Sequence, residues 1–188
     1  LAVFSSPGAH QEPPKFEELE ALVEEWGGRF TNVGQSFDFV IVDLNGTQVT
    51  DADLAHFTGL TGLDNLRLDN TQVTDVGLVH LTGLTDLRTL SLSETQVTGA
   101  GLAHLARVPE LRDLYLGYTP ITDAGLVHLT GLPALKRLNL PGTRVTDAGI
   151  VHLTELTAME AISLVGTGVT DAGEAELQKA FPNCNCGI

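Results

Sequence analysis

The chain is poor in residues that build several common kinds of site. Its 188 residues include one tryptophan, one methionine, two tyrosines and two cysteines. The cysteines, Cys184 and Cys186, both lie in the last five residues. They form no disulfide framework, and a C-N-C segment alone is a poor metal site. The sequence has no apolar run of roughly 18 residues or more, so it encodes no membrane-spanning helix.

Positive charge is also scarce. Ten basic residues face 24 acidic residues, and the formal net charge is −14. This excess argues against nucleic acid or an anionic membrane as the main partner, because both repel an acidic surface. The first residues, 1–9, fit either the end of a trimmed export signal or a fragment boundary. They lean towards an exported or cell-envelope protein without fixing the compartment.

The chain is rich in repetition at an interval of 24 residues. One threonine column contains Thr47, Thr71, Thr95, Thr119, Thr143 and Thr167. A histidine column contains His56, His80, His104, His128 and His152, and Glu176 takes the next place. A fixed period between about 20 and 50 residues is typical of solenoids.

Each unit predicts a strand, a turn and a short helix. Leu114 and Leu116 alternate, which places both side chains on one face of a strand. Leu126, Leu129 and Leu132 follow at helical spacing. Neither element can bury its apolar face alone, so stacked units should form a parallel sheet covered by a row of helices. The threonine before each helix should accept hydrogen bonds from free helix amides, and the aspartate that mostly follows it should interact favourably with the positive end of the same helix.

The sequence divides into three parts. Residues 1–14 contain three prolines and one glycine and show no repeat period, which predicts an extended or flexible arm. Residues 15–39 predict an amphipathic helix and a hairpin that cover the open end of the core. Residues 40–188 contain six units and a short terminal strand, since Cys186 lies one period after Ile162.

The unit L-x-x-L-x-L-x-x-T-x-V-T-D-A-G-L-x-H-L-x-x-L resembles a leucine-rich repeat. It is similar to the bacterial 24-residue type with threonine in place of the usual asparagine, as in planctomycete-like proteins, and more distantly to the repeats of F-box proteins. The resemblance implies an α/β arc with a parallel sheet on the concave face and helices on the convex face. It also implies that the concave sheet binds a macromolecule and that the threonine column ties down loop backbone.

The candidate partner-binding residues lie on or beside the strands, between the inward leucines. Tyrosine and arginine are the anchors that protein interfaces favour, and both tyrosines and most basic residues fall here. The predicted centre comprises Arg112, Tyr115, Tyr118 and Arg137 in units three to five. The residues predicted around it are Arg67, Arg88, Asp113, Lys136 and Asn139.

The histidine column has two interpretations. It could form a metal-binding or pH-sensing stripe, or it could be inherited with the repeat and line the grooves between helices. The structural interpretation is favoured, because neighbouring helices should hold two imidazoles too far apart for one zinc ion. The T-D-A-G turns lack the dense aspartate spacing of a calcium loop. We therefore expect no metal and no cofactor.

Three functional hypotheses follow. The first is a non-enzymatic module that binds a protein through its concave sheet. The second is a structural or assembly subunit that docks through the arm at 1–14 and its terminal faces. The third is an enzyme, which the absence of a nucleophile motif or a phosphate loop disfavours.

Overall fold

The computed structural model describes residues 15–32 and 39–187. The predicted arm at 1–14 therefore lies outside the described residues. The α-helices are α1 (Lys15–Glu25), α2 (Gly99–Leu105), α3 (Asp123–Leu126), α4 (Asp147–Leu153) and α5 (Asp171–Ala180), and 3-10 helices span Asp53–Phe57, Gly77–Leu81 and Val127–Gly131. The strands are β1 (Arg29–Asn32), β2 (Val40–Asp43), β3 (Leu63–Arg67), β4 (Thr89–Ser91), β5 (Asp113–Tyr115), β6 (Arg137–Asn139), β7 (Ala161–Ser163) and β8 (Asn185–Gly187).

Within the described residues, eight strands form one sheet in sequence order. The β1 strand is antiparallel to β2, and every later pair is parallel. The register advances by one period per strand across β3 to β8, so that Leu90 pairs with Leu114 and Ile162 pairs with Cys186. The predicted leucine-rich-repeat solenoid is confirmed. Units one to six are numbered here by their strands β2 to β7.

The core is one continuous aliphatic cluster between the sheet and the helices. Its members include Leu66, Leu90, Leu114 and Leu138 on the strands, each at most 2% exposed. Burying each such side chain contributes about 1.5–3 kcal/mol. Because each leucine packs against its counterparts in adjacent units, this stabilisation depends on stacking.

The first helix covers one end of the core, as predicted. Phe16, Leu19 and Val23 of α1 are buried, and Trp26 packs against the cluster. The helix ends at Glu25, and Gly27 two residues later has a φ of 80°, a left-handed conformation that glycine adopts readily. The predicted hairpin strands lie at β1 and β2, and the connection between them falls outside the described residues.

A carboxylate joins successive units on the helix side. The Asp51 carboxylate accepts hydrogen bonds from the backbone N–H of Thr74 at 2.8 Å and from its hydroxyl at 2.6 Å. The same pair of bonds joins Asp75 to Thr98, Asp123 to Thr146 and Asp147 to Thr170. The sequence predicted only an interaction of these aspartates with their own helices, so their link to the next unit is new.

The threonines at the helix starts fulfil part of their predicted role. The hydroxyls of Thr98, Thr146 and Thr170 each accept a hydrogen bond from a backbone N–H two residues later, at 3.3 Å. Thr122 makes no such side-chain bond. The preceding unit has Gly99 where the others have aspartate, and a Cβ atom there would collide with the backbone of Gly125.

The helices vary more than the repeat predicts. Units one and two have 3-10 helices, whereas units three, five and six have α-helices. In unit one, Asp53 stands where later units have glycine, and its carboxylate accepts from the N–H and the hydroxyl of Thr50, both at 2.8 Å. These two hydrogen bonds between Asp53 and Thr50 replace the helix cap that threonine provides in α2, α4 and α5.

Replacing Asp147 with asparagine tests the link between units. The hydrogen bonds from Thr170 hold the pKa of Asp147 below its ordinary value of 3.8. A lowered pKa means that the charged form stabilises the fold above the unfolded-state value, and this contribution disappears as the pH falls through the lowered value. Asp147→Asn should therefore lower the urea midpoint at pH 7, and the difference should shrink as the pH falls below 3.8 and through the lowered pKa.

Glu155→Gln is the matched control, because it removes the same charge from an exposed position on the same side. Urea unfolding of both variants at several pH values provides the comparison. If the Asp147 variant differs from the natural protein by a constant amount across the whole range from pH 7 down into acid well below 3.8, the ionised link does not stabilise the fold.

Candidate functional site

The concave sheet face contains the residues that alternate with the buried leucines. Beside the strands of units one to five they form an open groove of about 480 Å³. The groove is lined by Asn45, Asn65, Arg67, Asp69, Thr89, Ser91, Asp113, Tyr115 and Arg137. Four predicted partner-binding residues thus share one groove. Asn139 lines a second groove of about 330 Å³, together with Tyr115, Arg137 and Ser163.

The groove cations are paired with acids one period away. Arg137 Nε donates to the Asp113 carboxylate at 2.5 Å, and its Nη2 donates to the second oxygen at 3.1 Å. These bonds raise the pKa of the Arg137 guanidinium. Arg67 lies 3.8 Å from the Asp43 carboxylate. Arg137 and Arg67 are therefore engaged with their own chain, which the sequence prediction did not include.

The other predicted cations form a row along the edge where the strands begin. Arg88, Arg112 and Lys136 each directly precede a strand. Arg88 pairs with Asp64 at 2.5 Å and lies over the Phe39 ring at 5.5 Å from its centroid. Lys136 pairs with Glu160 at 2.6 Å, and its hydrogen bond lowers the pKa of that carboxyl. The centre of the predicted site is therefore flanked by internal ion pairs.

Tyr118 occupies the opposite edge, where the strands end. It belongs to a column with left-handed backbone, whose members are Gly46, Asn70, Glu94, Tyr118, Gly142 and Gly166, with φ between 53° and 71°. Each of the first five donates its N–H to a carbonyl of the next unit, and for Tyr118 the acceptor is Pro141 at 2.7 Å. The column therefore requires positive φ, which glycine and asparagine adopt readily and tyrosine does not.

The Tyr118 side chain remains 67% exposed despite this conformation. Its ring lies over Gly142, where a Cβ atom would meet it at 2.5 Å. Val165, two units further on, is 53% exposed, and Pro141 of unit five lies between them in the repeat. In units two and three the corresponding edge is polar, since Asp69 accepts from the Ser93 N–H at 2.8 Å. The sheet edge thus changes from polar to apolar at unit four.

The histidine column lies apart from this face. His56 is exposed and its ring is 5.9 Å from that of Trp26, whereas the His80 ring contacts the Thr58 hydroxyl at 3.2 Å. Across residues 15–32 and 39–187, no group of three or more histidine, cysteine or acidic side chains could hold a metal ion. The same part of the chain has no helix long and apolar enough to cross a membrane.

The predicted site included Asp113 but left out the other acids that pair with its cations. Asp43, Asp64 and Glu160 each pair with a predicted cation, and Asn65 and Ser91 line the groove. A signal for the pairs was present, because opposite charges stand one period apart at 43 and 67, 64 and 88, 113 and 137, and 136 and 160. Parallel strands in register bring such positions side by side.

No family model and no curated protein sequence matches this chain. Among solved structures, a chain of the mouse RP105/MD-1 complex is similar, with 16% identity and a TM-score of 0.57. That similarity covers 72% of this chain and only 23% of the mouse chain. Internalin C2 from Listeria monocytogenes is also similar, with 21% identity, a TM-score of 0.51, and coverage of 78% of this chain and 69% of the internalin. At these identities the similarity concerns the leucine-rich-repeat fold.

Replacing Glu94 measures the cost of a bulky residue in the left-handed column. Glu94 has φ of 59° and, like Tyr118, lacks the conformational freedom of glycine. Glu94→Asn should raise the free energy of unfolding by up to about 1 kcal/mol, because asparagine tolerates this region. Glu94→Ala should give no such gain, since alanine meets the same backbone restriction. Equal stability of both variants in urea unfolding would show that the column imposes no strain.

Proposed function

We propose that the chain is a non-enzymatic interaction module that binds a protein partner through its concave sheet face. The bound surface centres on Arg112, Tyr115, Tyr118 and Arg137. Arg67, Arg88, Asp113, Lys136 and Asn139 surround it. The repeats belong, in this proposal, to the bacterial 24-residue type that the sequence resembles.

The observation that carries the proposal is the backbone of Tyr118. A left-handed conformation costs a non-glycine residue about 1–2 kcal/mol. The ring recovers part of this by covering Gly142, yet most of its surface remains in water. Strained residues with exposed side chains concentrate at binding sites, where contact with a partner uses the side chain. An exposed tyrosine is also a preferred anchor at protein interfaces.

Two further features support this face. Tyr115 lines both grooves, so one strand presents aromatic surface towards units three and five. Tyr118, Pro141 and Val165 add an apolar edge beside polar groove residues, and protein interfaces combine such surfaces. The similar mouse structure is a complex of two proteins, which is consistent with the proposal by analogy of fold.

The test is a quantitative pull-down from the native source with a Tyr115→Ala/Tyr118→Ala variant. Alanine keeps the left-handed restriction at 118, so the comparison isolates the loss of the rings. We expect the variant to bind its partner about tenfold more weakly or worse, because aromatic anchors contribute about 2 kcal/mol or more. Urea unfolding should show at most a small loss of stability, from the lost contact of the Tyr118 ring with Gly142.

A Val79→Ser/Val151→Ser variant is the matched control, since both valines are exposed on the helix side. It should retain the partner. A third sample lacks residues 1–14. Retention of the partner by the tyrosine variant, together with its loss on removal of residues 1–14, would contradict the concave-face proposal and favour the assembly subunit.

A further inference from the structure

One row of side chains at the sheet edge has an unusual order of charge. Asp64, Arg88, Arg112, Lys136 and Glu160 follow one another at the 24-residue interval. Each later residue donates its backbone N–H to the carbonyl of the one before, at 2.8–2.9 Å. Neighbouring strands are separated by about 4.8 Å, so the row is a continuous stack. Three cations therefore stand together between two acids.

The two outer cations are neutralised by the acids at the ends. Arg88 contacts Asp64 at 2.5 Å, and Lys136 contacts Glu160 at 2.6 Å. Both pairs point away from the middle of the row. Arg88 is also held against the Phe39 ring, which restricts its movement towards Arg112.

Arg112, in the middle of the row, has a longer ion pair than Arg88 or Lys136. Its side chain is 44% exposed, and the ion pair that it forms joins its Nη2 to Glu110 of the same unit at 3.4 Å. Its neighbours along the row, Arg88 and Lys136, are both cations. Like charges on adjacent strands destabilise a sheet. An anion placed at Arg112 would relieve this repulsion.

Arg137, which follows Lys136 in the sequence, differs from Arg112 because it has a close acidic partner. Its guanidinium donates twice to Asp113, whose side chain is only 14% exposed. Arg137 is therefore required to balance a partly buried acid, whereas Arg112 balances no buried group in the described part of the chain. The local excess of cations is also contrary to the chain as a whole, which carries 24 acidic residues and ten basic ones.

We propose that Arg112 binds an aspartate or glutamate side chain of the protein partner. This inference rests on the proposed concave-face function and adds the chemistry of one contact. A guanidinium can hold a carboxylate through two parallel hydrogen bonds, which an ammonium group cannot reproduce. The partner segment at this edge is acidic, while the segment over Tyr118 is apolar.

The first experiment needs no partner. Arg112→Gln should unfold at the same or a higher urea midpoint than the natural protein at low salt, because it removes a cation from a like-charged row. Arg137→Gln should unfold at a lower midpoint, because it leaves Asp113 without a cationic partner and with only the 3.4 Å contact from the Thr89 hydroxyl. If Arg112→Gln is destabilised as strongly as Arg137→Gln, Arg112 has a structural role and the proposal is wrong.

The second experiment uses synthetic peptides as probes of the full chain. Hexaglutamate should shift the NMR signal of the Arg112 side chain saturably, and hexaglutamine should not. Arg112→Lys should weaken hexaglutamate binding about tenfold, since the paired hydrogen bonds are lost. An unresponsive Arg112 signal, or inorganic phosphate that competes as well as the peptide, would overturn the assignment of a carboxylate contact.

Failure of this inference can be distinguished from failure of the proposed function. If the Tyr115/Tyr118 variant loses the partner while Arg112→Gln retains it with unchanged salt dependence, the concave face binds and the carboxylate contact is wrong. If Arg112→Gln binds the partner more weakly and the salt dependence of binding decreases, the carboxylate contact is supported. If the tyrosine variant binds normally, the concave-face proposal fails whatever Arg112 does.

Discussion

The burial of leucines between units is the interaction on which the rest of the structure depends. A single unit has a strand of three to five residues and a helix of four to ten, and neither can enclose an apolar core. Leu90, for example, is removed from water by its counterparts at 66 and 114 on the adjacent strands. Every other regularity keeps successive units in the register that this stacking requires. The backbone ladder fixes the strands, and the link from Asp51 to Thr74 and its equivalents fixes the helix side.

This dependence explains why so much of the fold could be predicted from the sequence. Stacking requires a similar apolar side chain at the equivalent position of every unit. The positions that repeat in the sequence therefore identify the buried residues directly. The alternation of Leu114 and Leu116 and the spacing of Leu126 and Leu129 were sufficient to predict strand and helix. The period could not predict whether a given helix is 3-10 or α, because that choice depends on local bonds such as those between Asp53 and Thr50. It also did not reveal that the turn aspartates reach the next unit.

The candidate site was predicted less completely, and the reason is physical. Sequence spacing identifies which side chains share a face, but it does not show which of them are already engaged. Arg137 was predicted as a central anchor, and the structure pairs it with Asp113. The left-handed column was visible in principle, because glycine occupies it at 46, 142 and 166 and asparagine at 70. Recognising that slot would have identified Glu94 and Tyr118 as conformationally restricted residues.

In a molecule held together by repetition, deviations from the repeat carry the most information about function. Selection for stacking alone would keep glycine or asparagine in the left-handed column and aspartate before each helix. Unit three departs from both rules, with Glu94 in the column and Gly99 in place of aspartate, and unit four departs from the first, with Tyr118 in the column. Arg112, the cation with the weakest acidic contact in its row, belongs to the same region. These residues lie on different sides of the arc, so one packing requirement does not explain them all. Because a strained tyrosine and a cation between cations should each reduce stability in the isolated chain, their presence together favours a surface shaped for contact with another molecule.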